Sequence, residues 1–193
     1  MAFSQNPNGP RGLDVFRANR GTPGRLAEYR ILGTYATKIY SGNPVELNTD
    51  GTIIVPASVD SKILGVFQGV QYIDVAGETQ FKPFWPAPGA VKANTVVRAY
   101  VTEAAGELFL IKSDEDLVQA DVGEYFTMTS MTTGSDATGR ANTSLDGSTN
   151  GTAVADKVLK LREIAQFDGT SQLAVVQFIR TENNEAQMFP ATS

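Results

Sequence analysis

Ile39 to Pro56 reads I-Y-S-G-N-P-V-E-L-N-T-D-G-T-I-I-V-P, and after a polar break Lys62 to Trp85 reads K-I-L-G-V-F-Q-G-V-Q-Y-I-D-V-A-G-E-T-Q-F-K-P-F-W. In the first piece, Val45–Leu47 and Ile53–Val55 flank Asn48-Thr49-Asp50-Gly51. Asp-Gly between short β-rich runs is a strong hairpin signal, because both residues tolerate the positive φ of a tight turn. In the second piece, Ile63 to Val75 is rich in Val, Ile, Phe and Tyr, and Ala76-Gly77-Glu78 turns it into Thr79–Trp85. Gly65 and Gly69 inside the longer run predict a bulge, a bend or another backbone lying close. No helical periodicity competes with this pattern. The stretch predicts an antiparallel β-core and offers no catalytic constellation.

Outward from this core, the pattern stays β. Arg30–Tyr40 reads as the first strand. Val96–Thr102 and Leu108–Lys112 read as a third hairpin around Glu103-Ala104-Ala105-Gly106, and Glu124–Met131 as a further strand. Lys157–Phe167 mixes strand and helix signals. Asp168-Gly169 and the run Leu173–Thr181 decide for a last hairpin. Ser113–Asp121 is the best short helix, with Ser113 and Asp116 at capping-box spacing and acids in the first turn. Thr132–Ala155 is dominated by Thr, Ser, Gly, Asn and Asp and reads as a long exposed loop, with room for a short strand near Leu145. The expected fold is all-β: an antiparallel β-barrel or sandwich with an extended N-terminal arm and one or two short helices. Residues 1–30 form the arm, 31–181 a single β-domain with the loop at 132–155, and 182–193 a tail. The expected core is Val45, Leu47, Ile53, Val55, Leu64, Val66, Val97, Val101, Leu108, Leu110, Val175 and Phe178.

Composition narrows the chemistry. The chain of 193 residues has no Cys and no His, which removes disulfides, thiolate zinc sites, imidazole bases and Ser-His-Asp triads together. Its size suffices for a core without staples. Met1–Pro7 has neither the basic nor the apolar region of a secretory leader, so none is expected. No apolar run approaches the ~20 residues that a membrane-crossing helix needs.

The net charge of −5 is unevenly spread. Arg11, Arg17, Arg20, Arg25 and Arg30 against Asp14 and Glu28 give residues 1–30 a net charge of +3, so the rest has a net charge of −8. Three prolines and four glycines in the same 30 residues oppose a stable helix. Such a segment cannot offset its ordering entropy alone, and the choice is between an inert tail and an arm that orders on a partner. Its spaced arginines and apolar residues favour the arm, with Phe3, Arg11, Val15, Phe16, Arg17, Arg20 and Arg25 as partner-binding residues. The arm lacks the dense Lys/Arg run of a nucleic-acid tail, and the body is acidic.

Other candidate chemistry has simpler readings. Asp114, Glu115, Asp116, Asp121 and Glu124 could surround a cation, but they lack a calcium-loop pattern and a capped helix accounts for them. Gly65-x-x-x-Gly69 precedes no Lys-Ser/Thr and no helix, so it is not a phosphate loop. Phe81, Phe84 and Trp85 could stack on sugars or bases, although such residues more often plug the end of a barrel. No metal, cofactor or catalytic residue is expected.

Several stretches together resemble the small β-rich virion proteins of tailed bacteriophages, most closely capsid decoration or cement proteins. They are G-N-P-V-E-L-N-T-D-G-T-I-I-V-P at 42–56, S-K-I-L-G-V-F-Q-G-V at 61–70, L-V-Q-A-D-V-G-E-Y-F at 117–126, T-G-R-A-N-T-S-L-D at 138–146 and L-K-L-R-E-I-A at 159–165. The resemblance lies in style and order over most of residues 40–180. It implies a non-enzymatic protein that is made in the host cytoplasm and sits on the outer capsid surface, clamping neighbouring major capsid protein subunits. It also implies a homo-oligomer, with a trimer favoured, and neither nucleic acid nor membrane as partner. Two other functions compete: a tail or head-completion component, and a carbohydrate-binding or glycan-hydrolysing β-domain using Trp85 and surface acids.

Overall fold

The computed structural model describes residues 12–18, 26–58, 61–152, 157–167 and 172–182. In chain order the strands are β1 (Asp14–Ala18), β2 (Leu26–Ile31), β3 (Ile39–Tyr40), β4 (Pro44–Leu47), β5 (Ile53–Ile54), β6 (Gly65–Ile73), β7 (Thr79–Lys82), β8 (Phe84–Trp85), β9 (Val97–Glu103), β10 (Glu107–Lys112), β11 (Tyr125–Thr129), β12 (Gly134–Ser135), β13 (Arg140–Ala141), β14 (Ser144–Gly151), β15 (Leu159–Phe167) and β16 (Gln172–Phe178). Helix among the described residues amounts to two 3-10 turns, Pro88–Ala90 and Gln119–Asp121. The fold is all-β and antiparallel.

Two large sheets carry it. The first runs β1-β10-β16-β15-β11-β14, and the second β2-β9-β6-β4-β5 with β7 added to β6. The second sheet curls until Arg30 of β2 meets Thr52 beside β5 at a single parallel bridge, and stops short of a closed barrel. Its concave side holds one core: Val45, Ile53, Phe67, Val70, Tyr72, Val97, Ala99 and Val101, with Trp85 packed edge-on against Tyr72. The other core lies on the first sheet, around Phe109, Phe126, Leu145, Leu159, Leu161 and Phe178. Ile63, Val66 and Ala104 belong to this second cluster although they flank or sit in strands of the other sheet, so the two halves share apolar contacts.

The turns follow from the residues that make them. Gly51 has φ +79°, and Asp50 Oδ1 accepts the Thr52 N–H at 2.9 Å, closing the β4–β5 hairpin. Gly65 answers to close approach: a Cβ there would run into the Thr102 carbonyl and the Val101 side chain of β9. The register between β6 and β9 slips between Phe67 and Gly69, which is the bulge expected there.

Several expectations need correction. The first strand does not run from Arg30 to Tyr40: β2 ends at Ile31 and β3 begins at Ile39. Part of the expected arm belongs to the body, because β1 pairs with β10 and β2 with β9. β9 and β10 do not form a hairpin. Both edges of β9 are already taken, by β2 and β6, so the turn at Ala104–Glu107 carries the chain into the other sheet. Ser113–Asp121 is not a helix. Leu117 is buried, and both its backbone groups bond the Gln172 side chain, at 2.6 and 2.9 Å, which takes the partners a helix would use. In the expected loop at 132–155, residues 132–152 form β12, β13 and β14 instead, with Leu145 fully buried. Of the expected core, ten residues are buried. Leu47, at the end of β4, is exposed, and Leu110 is half-buried.

Candidate interaction surface

Two regions of the surface merit attention, one around β1 and one on the convex side of the second sheet. Leu13 is buried in the core of the first sheet, and its N–H bonds the Gly42 carbonyl at 2.9 Å. Asp14 next to it accepts from Arg140 Nη1 at 2.9 Å. β1 then runs along the edge of the first sheet, with a bulge between Val15 and Arg17. Val15 and Phe16 are exposed there, and Arg17 takes part through its backbone, paired with Leu108. Phe3, Arg11, Arg20 and Arg25 lie outside the described residues. The structure therefore describes three of the seven expected partner-binding residues, side by side on the edge strand β1, whose root is the buried Leu13.

A polar network backs this root. Asp136 accepts from Lys38 Nζ at 2.5 Å and from the Tyr40 hydroxyl at 2.7 Å. The Lys38 hydrogen bond, then that of Tyr40, holds the Asp136 carboxyl below its ordinary range. Burial, reinforced by the bond to Asp136 and its charge, pushes the Tyr40 phenol up to about 12. Tyr40 also stacks on Phe84, with ring centroids 5.7 Å apart. Beneath them, Asn43 is fully buried and satisfied: its Oδ1 accepts the Tyr40 N–H at 2.7 Å, and its Nδ2 donates to the Met131 carbonyl at 2.7 Å and to Thr143 Oγ1 at 3.1 Å. This network ties β3 and the turn before β4 to the segment around β12 and β13. No sequence motif marks it, since its members lie about a hundred residues apart in the chain.

The convex face of the second sheet is built by cross-strand register. Phe81 of β7 lies opposite Gln71 of β6, Gln71 opposite Arg98 of β9, and Arg98 opposite Arg30 of β2. Directly opposed residues share a face, so these four form one row across four strands. Ile73, two positions on from Gln71, is on the same side, and Val96 and Leu32 lie one residue beyond the ends of β9 and β2. Phe81, Val96 and Leu32 are 68%, 50% and 49% exposed. A depression of about 480 Å³ opens between Gln71, Ile73, Thr79, Val96 and Arg98. Tyr100 on the next row donates to Gln71 Oε1 at 3.0 Å, and Glu28 pairs with Arg98 at 3.2 Å. The alternation in V-V-R-A-Y-V-T signals that Arg98 and Tyr100 share a face, but not which strands stand beside them.

The remaining candidate chemistry is accounted for structurally. Trp85 is fully buried and donates to the Tyr35 carbonyl, so it presents no stacking surface. Asp114 accepts from the Gly147 N–H, and Asp121 from the Val118 N–H and from Asn150. Among the described residues no three acidic side chains converge as a metal site would require. None of the family models, curated proteins or solved structures compared with the chain matches it.

Proposed function

We propose that this chain is a non-enzymatic structural protein of a tailed-bacteriophage particle, which binds the outside of the assembled head and clamps neighbouring major capsid protein subunits. The observation that carries the reading is the N-terminal segment. Residues 1–30 are basic on an otherwise acidic chain, and the described chain begins at Gly12–Asp14, which a buried leucine, an ion pair and an edge strand hold on the body. That arrangement suits a tether: the anchor stays on the body while the residues before it reach a neighbouring chain. Arg11 there donates charge-assisted hydrogen bonds to carboxylates and carbonyls, and Phe3 supplies an apolar anchor. A ligand that binds only the assembled lattice stabilises it by mass action, and several arms on one oligomer add by avidity. The resemblance in the sequence supports the same reading. The glycan-binding alternative loses the residue that motivated it, because Trp85 is buried.

The test is co-sedimentation with undecorated capsids, using the full chain and a version beginning at Gly12. The full chain binds, and the shortened one binds far more weakly and with less salt dependence. Equal binding of the two would leave the arm a mere tail.

A further inference from the structure

We infer that the convex face of the second sheet is a second docking surface, one that takes a carboxylate-bearing apolar patch of a partner protein. On the reading proposed above, the partner is the capsid lattice. Arg30 and Arg98 are directly opposed on β2 and β9, and like charges so placed destabilise a sheet. Glu28 offsets one of them, at 3.2 Å from Arg98. Among the described residues, Arg30 has no carboxylate within ion-pair distance. A chain with net charge −5 and 21 acidic residues has thus left a cation without a described carboxylate partner on its surface, in a row that runs past Arg98, beside the depression lined by Ile73 and Val96, to the exposed Phe81. A partner carboxylate seated between the two guanidinium groups would relieve the repulsion, and Arg presents a planar fork suited to it. The apolar residues around it supply the desolvated bed in which such a pair gains strength, and exposed aromatic and arginine side chains together are the usual makings of a binding hot spot.

The arrangement separates binding from folding, and the experiment uses that. Arg30→Gln removes one of two opposed charges, so its melting temperature stays level or rises. Phe81→Ser alters a side chain that is 68% exposed and leaves the fold intact. Each variant is compared with the full parent chain in co-sedimentation with undecorated capsids, and each is run alone in sedimentation velocity. The expected result is binding weakened by about tenfold or more for either variant, the loss typical of a charge-assisted contact or an aromatic anchor. If the parent binds and both variants bind equally well, the face is no docking surface while the proposed function stands. If the parent itself fails to bind, the proposed function and this inference fall together. If the variants lose self-association instead of capsid binding, the face joins copies of this chain and the inference is overturned.

Discussion

At the scale of single residues, the two that matter most for integrity are Asn43 and Tyr40. Asn43 satisfies one backbone N–H and one backbone carbonyl in a site with no solvent. Asn43→Leu would leave both unpaired. The expected loss is about 2–4 kcal/mol, read as a lower urea midpoint at unchanged slope. Tyr40 gives a dependence on alkaline pH. Its phenol titrates at about 12 in the folded protein against an ordinary 10.0, so the folded state holds the proton more tightly. The stability this contributes is complete below pH 10 and is lost as pH rises from about 10 to 12. Tyr40→Phe should therefore be less stable than the parent at neutral pH, with the difference narrowing over that window in thermal melts. A gap that stays constant to pH 12 would show that the hydroxyl does not titrate in this way.

At the scale of elements, β14 and β1 carry the corrections. Leu145 is fully buried against the first sheet, so Leu145→Ala should cost about 2–5 kcal/mol, and replacing residues 134–151 by a short Gly/Ser turn should abolish cooperative unfolding. The sequence concealed this strand because S-L-D-G-S-T-N-G offers a single large apolar residue. Its polar side chains are spent on neighbours: Thr149 Oγ1 accepts the Thr127 N–H at 3.0 Å, and Asn150 Nδ2 donates to Asp121 Oδ1 at 3.1 Å. β1 was hidden for a different reason. D-V-F-R-A is a short β-rich run set among Pro, Gly and Arg, and only its partner β10 makes a strand of it. Removing residues 1–11 should leave the melting temperature unchanged. Removing 1–25 should lower it sharply, since Leu13, β1 and the Asp14–Arg140 pair go with it. By contrast, the hairpins at Asp50-Gly51 and Ala76-Gly77-Glu78 were legible, because turn chemistry is local.

At the scale of the whole molecule, the class of fold was legible but the partition into sheets was not. Alternation tells which residues share a face, whereas the crossing from β9 to β10 depends on which edges are already occupied. The same limit applies to the candidate surface. The arginines of the arm stand out in the sequence, while the row Phe81–Gln71–Arg98–Arg30 exists only once four strands are laid side by side. An arm at one edge and an apolar, cationic face on the other sheet together fit a protein that touches more than one neighbour on a lattice. The most direct test of that account is the abundance and position of this chain in purified particles of the tailed bacteriophage that the proposal takes to encode it, by quantitative mass spectrometry with electron microscopy of the head. The account predicts a copy number comparable with that of the major capsid protein, and density on the outer head surface. A handful of copies confined to the tail or neck, or none in the particle at all, would contradict it.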